Sequence, residues 1–122
     1  MTQSNNNLID SHAHIVPETL VEEVRKSGST LGISVEDTDR GPALQFAGLP
    51  HLRPVGGLAQ IGTRLEWLEK QGLGMQIVAS WLDIQGYTLT ADHAATWARL
   101  FNEHLADVIS NNPGKFQALA TV

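Results

Sequence analysis

Apolar and polar residues alternate along this chain with two periods, one suited to strands and one to helices. Leu8 to Asp10, running into His12 and His14, reads as a short buried strand. Pro17 suits the first turn of a helix, where Glu18, Glu22 and Glu23 favour the positive N-terminal end. Leu20, Val21 and Val24 form its buried stripe, and Gly28 is its expected stop. Leu31–Val35 and Ala43–Phe46 flank the polar, turn-rich run Glu36 to Pro42, which predicts a β-hairpin with a longer loop. Leu49 to Gly57, carrying Pro50 and Pro54, reads as irregular connecting chain. Ile61, Leu65, Leu68 and Gly72 share one helical face among Arg64, Glu66, Glu69 and Lys70, and Gly72 and Gly74 end that helix. Met75 to Ser80 is a nearly continuous apolar run, the pattern of a strand covered on both faces. Thr90 caps a long helix ending near Asn111-Asn112-Pro113-Gly114. Its stripe of Ala94, Trp97, Ala98, Phe101, Leu105, Val108 and Ile109 reads as core. Phe116 to Val122 predicts one more strand.

Strands alternating with helices imply parallel β-α-β units, hence an α/β fold. Three such strands leave an open sheet edge, so the chain reads as the opening part of a larger unit. Its 122 residues, 42% hydrophobic and 17% charged, suit one small domain. The formal net charge of −5 and the scattered Lys and Arg argue against a nucleic-acid or membrane-surface partner. With no cysteine, any metal must be held by His, Asp or Glu. No apolar run approaches membrane-spanning length. Residues 1–7 are polar and uncharged and read as a disordered lead rather than a signal peptide, so a cytoplasmic protein is expected.

Candidate chemistry starts at Ile9-Asp10-Ser11-His12-Ala13-His14. In an extended strand alternate side chains share a face, so the two imidazoles, about 7 Å apart along the backbone, can converge on one metal ion. Their place at the C-terminal end of the first strand of a β/α series is where such barrels carry their chemistry. The plainer reading is two histidines in a polar loop. Asp10 falls on the same face; it either orients an imidazole as a supporting carboxylate or bonds to backbone. Arg53 offers a planar fork for a substrate carboxylate, against the alternative of a solvated loop arginine. Trp81 lies just past a strand, where barrel pockets open. His51, His93 and His104 have weaker claims: His51 is near Arg53 in sequence, and the other two lie on the long helix.

The Ile-Asp-Ser-His-Ala-His segment followed by Pro17 resembles the strand-one signature of the amidohydrolase superfamily. Within it the chain is similar to the amidohydrolase-related branch of aminocarboxymuconate-semialdehyde decarboxylase and the resorcylate-type decarboxylases. Leu52-Arg53-Pro54-Val55 resembles that branch's Arg-Pro-Val segment. Arg64 to Leu68 with Gln76-Ile77-Val78, and Asn102 through Pro113 to Phe116–Ala120, resemble its next two helix–strand pairs. The branch often carries a Trp shortly after the Arg-Pro-Val segment, whereas Ala59-Gln60 follow here. The likeness spans nearly all of this chain but only the N-terminal third of such an enzyme.

That resemblance implies residues 8–122 are the N-terminal portion of a (β/α)₈ barrel with a small β insertion near residues 30–57. It implies that His12 and His14 ligate one divalent metal, usually zinc and sometimes manganese. The remaining ligands and the catalytic acid or base would lie beyond Val122, leaving this piece alone inactive. The implied activity is non-oxidative decarboxylation of a carboxylated aromatic or muconate-type acid, with Arg53 binding a substrate carboxylate. A homodimer is implied as well. Two rivals stand beside it: metal-dependent hydrolysis of an ester, lactone or amide on the same scaffold, and a small non-catalytic α/β module.

Overall fold

The computed structural model describes residues 7–122; the expected disordered lead over 1–7 lies outside these, Asn7 apart. The elements are β1 (Leu8–Ile15), α1 (Glu18–Ser27), β2 (Ile33–Thr38), β3 (Gly41–Phe46), β4 (Arg53–Pro54), α2 (Ile61–Lys70), β5 (Leu73–Ser80), α3 (Ala91–Asn111) and β6 (Phe116–Leu119). They form two sheets. One is parallel in the order β1-β5-β6, and the other is antiparallel in the order β2-β3-β4. The chain is therefore α/β, with helices connecting the parallel strands as alternation requires.

Helix α1 buries Leu20, Val21 and Val24, the stripe its periodicity predicts. It ends before Gly28, but not through the left-handed cap expected there, since Gly28 has φ −61° and leads into a 3₁₀ turn over Gly28–Leu31. Glycine serves a close approach instead: a Cβ at this position would fall 2.5 Å from the Ile33 carbonyl oxygen. Long helix α3 starts on Thr90, whose Oγ1 accepts the main-chain N–H of His93 at 3.3 Å. It buries Trp97, Phe101 and Leu105. Trp97 donates Nε1–H to the Ile84 carbonyl at 2.7 Å and meets Phe46 and Phe101 edge-on. This aromatic group joins the two sheets into one core with Ile15, Leu20, Leu44, Val78 and Phe116.

Five expectations need correction. The hairpin has no long loop: Glu36, Asp37 and Thr38 pair with Ala43, Pro42 and Gly41, leaving a tight turn at Asp39 and Arg40. Thr38 Oγ1 closes the turn by donating to the Gly41 carbonyl at 2.7 Å, and Gly41 takes φ +97°. Polar residues suit an antiparallel strand with one wet face, which is why the cluster looked like a loop. Within the connection read as irregular, Arg53 and Pro54 pair with Leu44 and Ala43 as a third strand. Strand β1 is not buried at its start: Leu8 and Ile9 are 65% and 54% exposed, and burial begins at Ile15. Strand β5 is covered on one face, with Gln76, Val78 and Ser80 buried and Met75, Ile77 and Ala79 half-buried. Finally, β6 stops at Leu119. Thr121 lies beyond it, its N–H and C=O bonded to the side-chain amide of Asn102 at 2.9 and 2.8 Å.

Candidate metal centre

Strand β1 runs parallel to β5, and near its end His14 pairs with Ala79 and Ile15 with Ser80. Between Asp10 and Ala13 the register slips, β1 advancing three residues while β5 advances two from Gln76 to Val78. His12 lies in that slip. The two rings nevertheless meet, with Nε2 of His12 and Nε2 of His14 3.2 Å apart and their planes at 80°.

His14 has a fixed proton. Its Nδ1 lies 3.1 Å from the main-chain oxygen of Ser80, and since a carbonyl only accepts, Nδ1 carries the hydrogen. In the neutral ring the lone pair is then on Nε2, the atom facing His12. Without an ion, His12 donates its own Nε2–H across the gap. With zinc, two nitrogens about 2.0–2.1 Å from one tetrahedral ion would be about 3.3–3.4 Å apart. The observed spacing fits that edge, and neutral imidazole is an apt ligand. Among the described residues no group of three or more His, Asp or Glu converges, so the chain provides a pair.

Asp10 takes one partner from the backbone of the pair and one from β5. Oδ1 accepts the main-chain N–H of His12 at 3.2 Å, and Oδ2 accepts Gln76 Nε2 at 2.8 Å. These two bonds, Gln76 first, hold its carboxyl below the ordinary carboxylate range, against a smaller opposing effect of burial. Ahead of the register slip, Asp10 stands level with Gln76 in the pairing of β1 with β5. The carboxylate reaches His12 through its backbone, not its ring.

Gln76 and Arg64 belong to this site, although in the sequence they stand in an apolar run, on a charged helix face and in segments of the family resemblance, with no site role expected of them. Arg64 NH1 donates to Gln76 Oε1 at 2.9 Å, and NH2 donates to the main-chain oxygen of His14 at 2.8 Å. Burial lowers the guanidinium's pKa, and the nearby Asp10 charge partly offsets this. One signal was available beforehand: a glutamine inside a buried apolar strand needs partners for both ends of its amide.

The other candidates make no hydrogen bond to the pair among the described residues. Arg53, half-buried on β4, donates NH1 to the His51 carbonyl at 3.1 Å, and no hydrogen bond among the described residues joins it to the histidine pair. Trp81, half-buried, directly follows Ser80, whose carbonyl holds His14. His51 is exposed, and His104 pairs its Nδ1 with Thr19 Oγ1 at 2.7 Å on α1. A cleft of about 480 Å³, lined by residues including Leu65, Leu73, Pro113 and Lys115, opens where β5 begins, at the opposite end from the histidines.

No family model matches the sequence, and no curated protein matches it. Among solved structures, the crystal structure of Metarhizium anisopliae IDCase in apo form is similar, with a TM-score of 0.63 and 17% identity over 98% of this chain. The chain spans 36% of the length of that protein. The likeness shows the fold: a small α/β arrangement of one parallel and one antiparallel sheet that matches part of a larger protein.

Proposed function

We propose that His12 and His14 are two ligands of one divalent metal ion, zinc or manganese, in an amidohydrolase-related enzyme that removes a carboxylate without oxidation from a carboxylated aromatic or muconate-type acid. The observation that carries this reading is the pair itself. Two Nε2 atoms lie 3.2 Å apart at the C-terminal end of a parallel strand, one of them with its lone pair fixed by Ser80. The fold likeness to IDCase, a decarboxylase of the amidohydrolase superfamily, supports the choice of chemistry, as do the segments around Ile9–His14 and Leu52–Val55. In this reading the chain is the first portion of a (β/α)₈ barrel.

A catalytic zinc takes three protein ligands, so the proposal assigns the remaining ligand and the proton donor to residues outside these 122. Held there, the ion would supply Lewis-acid polarisation of the substrate. His14 keeps its Nδ1 proton on Ser80 and so serves as ligand, not as acid. Arg53 takes a substrate carboxylate in its fork, and Trp81 packs beside the substrate ring. In the reaction the bond from ring or enol carbon to carboxylate breaks, its electron pair stays on that carbon, and a proton replaces carbon dioxide.

Zinc titration of the chain, followed through the imidazole ¹⁵N resonances, tests the pair. His12 and His14 should shift together while His51, His93 and His104 do not, and His12→Ala or His14→Ala should abolish the response of the partner. Equal shifts at all five rings would contradict a paired site. Turnover by the whole enzyme in D₂O should release carbon dioxide and leave one deuterium on the carbon that lost it; a hydrolysis product without carbon dioxide would exclude the lyase.

A further inference from the structure

A continuous set of hydrogen bonds starts on the backbone of one histidine and ends on the backbone of the other. It runs from the His12 N–H to Asp10, from Asp10 to Gln76, from Gln76 to Arg64, and from Arg64 to the His14 carbonyl. Its polarity is forced. A guanidinium only donates and an ionised carboxylate only accepts, so the amide between them must turn its oxygen to Arg64 and its nitrogen to Asp10. Glutamate at position 76 would set a second carboxylate against Asp10, and leucine would leave both neighbours without it. Gln76 is only 2% exposed, so neither loss is readily made good by solvent.

The place where these bonds act is one where the sheet pairing is irregular. A bulge leaves a residue out of the ladder and bends its strand, and the register of β1 against β5 slips between Asp10 and Ala13, around His12. Beyond the slip, His14 is held by the pairing to Ala79 and by its ring on Ser80. We infer that Asp10, Gln76 and Arg64 are positioning residues for the metal, fixing the backbone on both sides of the slip so that the two Nε2 atoms keep the separation one ion needs. The inference rests on the reading of His12 and His14 as ligands of a common ion. None of the three touches the ion; they act through the main chain of the residues that do. Losing such outer partners costs metal sites about 10–100-fold in affinity.

The test is a zinc titration of the 122-residue chain, read from the His12 and His14 ¹⁵N resonances, with apparent Kd compared among variants. Gln76→Leu cuts both amide bonds, and Gln76→Glu keeps an acceptor for Arg64 while opposing Asp10. Each should weaken binding about tenfold or more. Val24→Ala, a core truncation in α1, controls for lost stability and should leave Kd unchanged. Asp10→Ala, at the half-buried start of the sheet, keeps the test open if either Gln76 variant fails to fold; it should weaken binding similarly and speed hydrogen exchange at the His12 amide. Variants that bind like the parent would overturn the positioning role while leaving the paired site intact. Equal weakening in Val24→Ala would reduce the role to general stability and overturn it too. Parent resonances of His12 and His14 that ignore zinc would remove the paired site, and the positioning role with it.

Discussion

A histidine that donates Nδ1–H to a carbonyl keeps its Nε2 lone pair for another partner, and His14 does this against Ser80. The spacing of His12 and His14 was legible in the sequence because a strand places alternate residues on one face. The partners of the pair were not. Ser80 lies 66 residues from His14 and Gln76 66 residues from Asp10, so only the pairing of β1 with β5 brings them together. Asp10 shows the limit of counting by twos, since its partner Gln76 lies across the sheet on β5. A surface pair offers a pH test at the same scale. Arg25, by hydrogen bonding first and by charge, lowers the Asp37 pKa in the fold, with NH1 at 3.0 Å from Oδ2. A carboxyl with a depressed folded pKa adds stability above its unfolded value, about 3.9, and loses it as pH falls through the folded one. The stability difference between the parent and Asp37→Asn should therefore be present at about pH 6 and close toward about pH 3. Denaturant titrations at the two pH values would show it; a gap that stays constant would contradict the pairing.

At the scale of elements, helices were read more faithfully than strands. A helix carries its own evidence in a stripe and a cap, both local in sequence. Thr90 and the stripe through Trp97, Phe101 and Leu105 reappear in α3 as expected. A strand's burial depends on what lies beside it, so β5 proved covered on one face and the polar half of β2 was mistaken for a loop. Thr90 Oγ1 accepts the His93 N–H, one of the donors that a helix start otherwise leaves unpaired. Thr90→Ala should lower stability by about 1 kcal/mol, seen as a fall in Tm with little change in the overall circular dichroism. A variant as stable as the parent would mean that solvent replaces the cap without loss.

At the scale of the molecule, one core joins a parallel and an antiparallel sheet, and the histidine pair sits at the C-terminal end of the first parallel strand. The alternation of elements was legible, which is why an α/β fold could be inferred without knowing the sheet order. The order β1-β5-β6, the third strand β4 and the bonds from Arg64 to Gln76 and to the His14 carbonyl were not, because each joins residues whose proximity no local pattern encodes. All of the proposed chemistry depends on whether one ion accepts both rings. A crystal of the protein soaked in zinc chloride, with anomalous scattering recorded on both sides of the zinc edge, measures this directly. The expected result is one zinc peak about 2.0–2.1 Å from the Nε2 atoms of both His12 and His14. Zinc bound to a single ring of the pair, or found only at His51, His93 or His104, would contradict it.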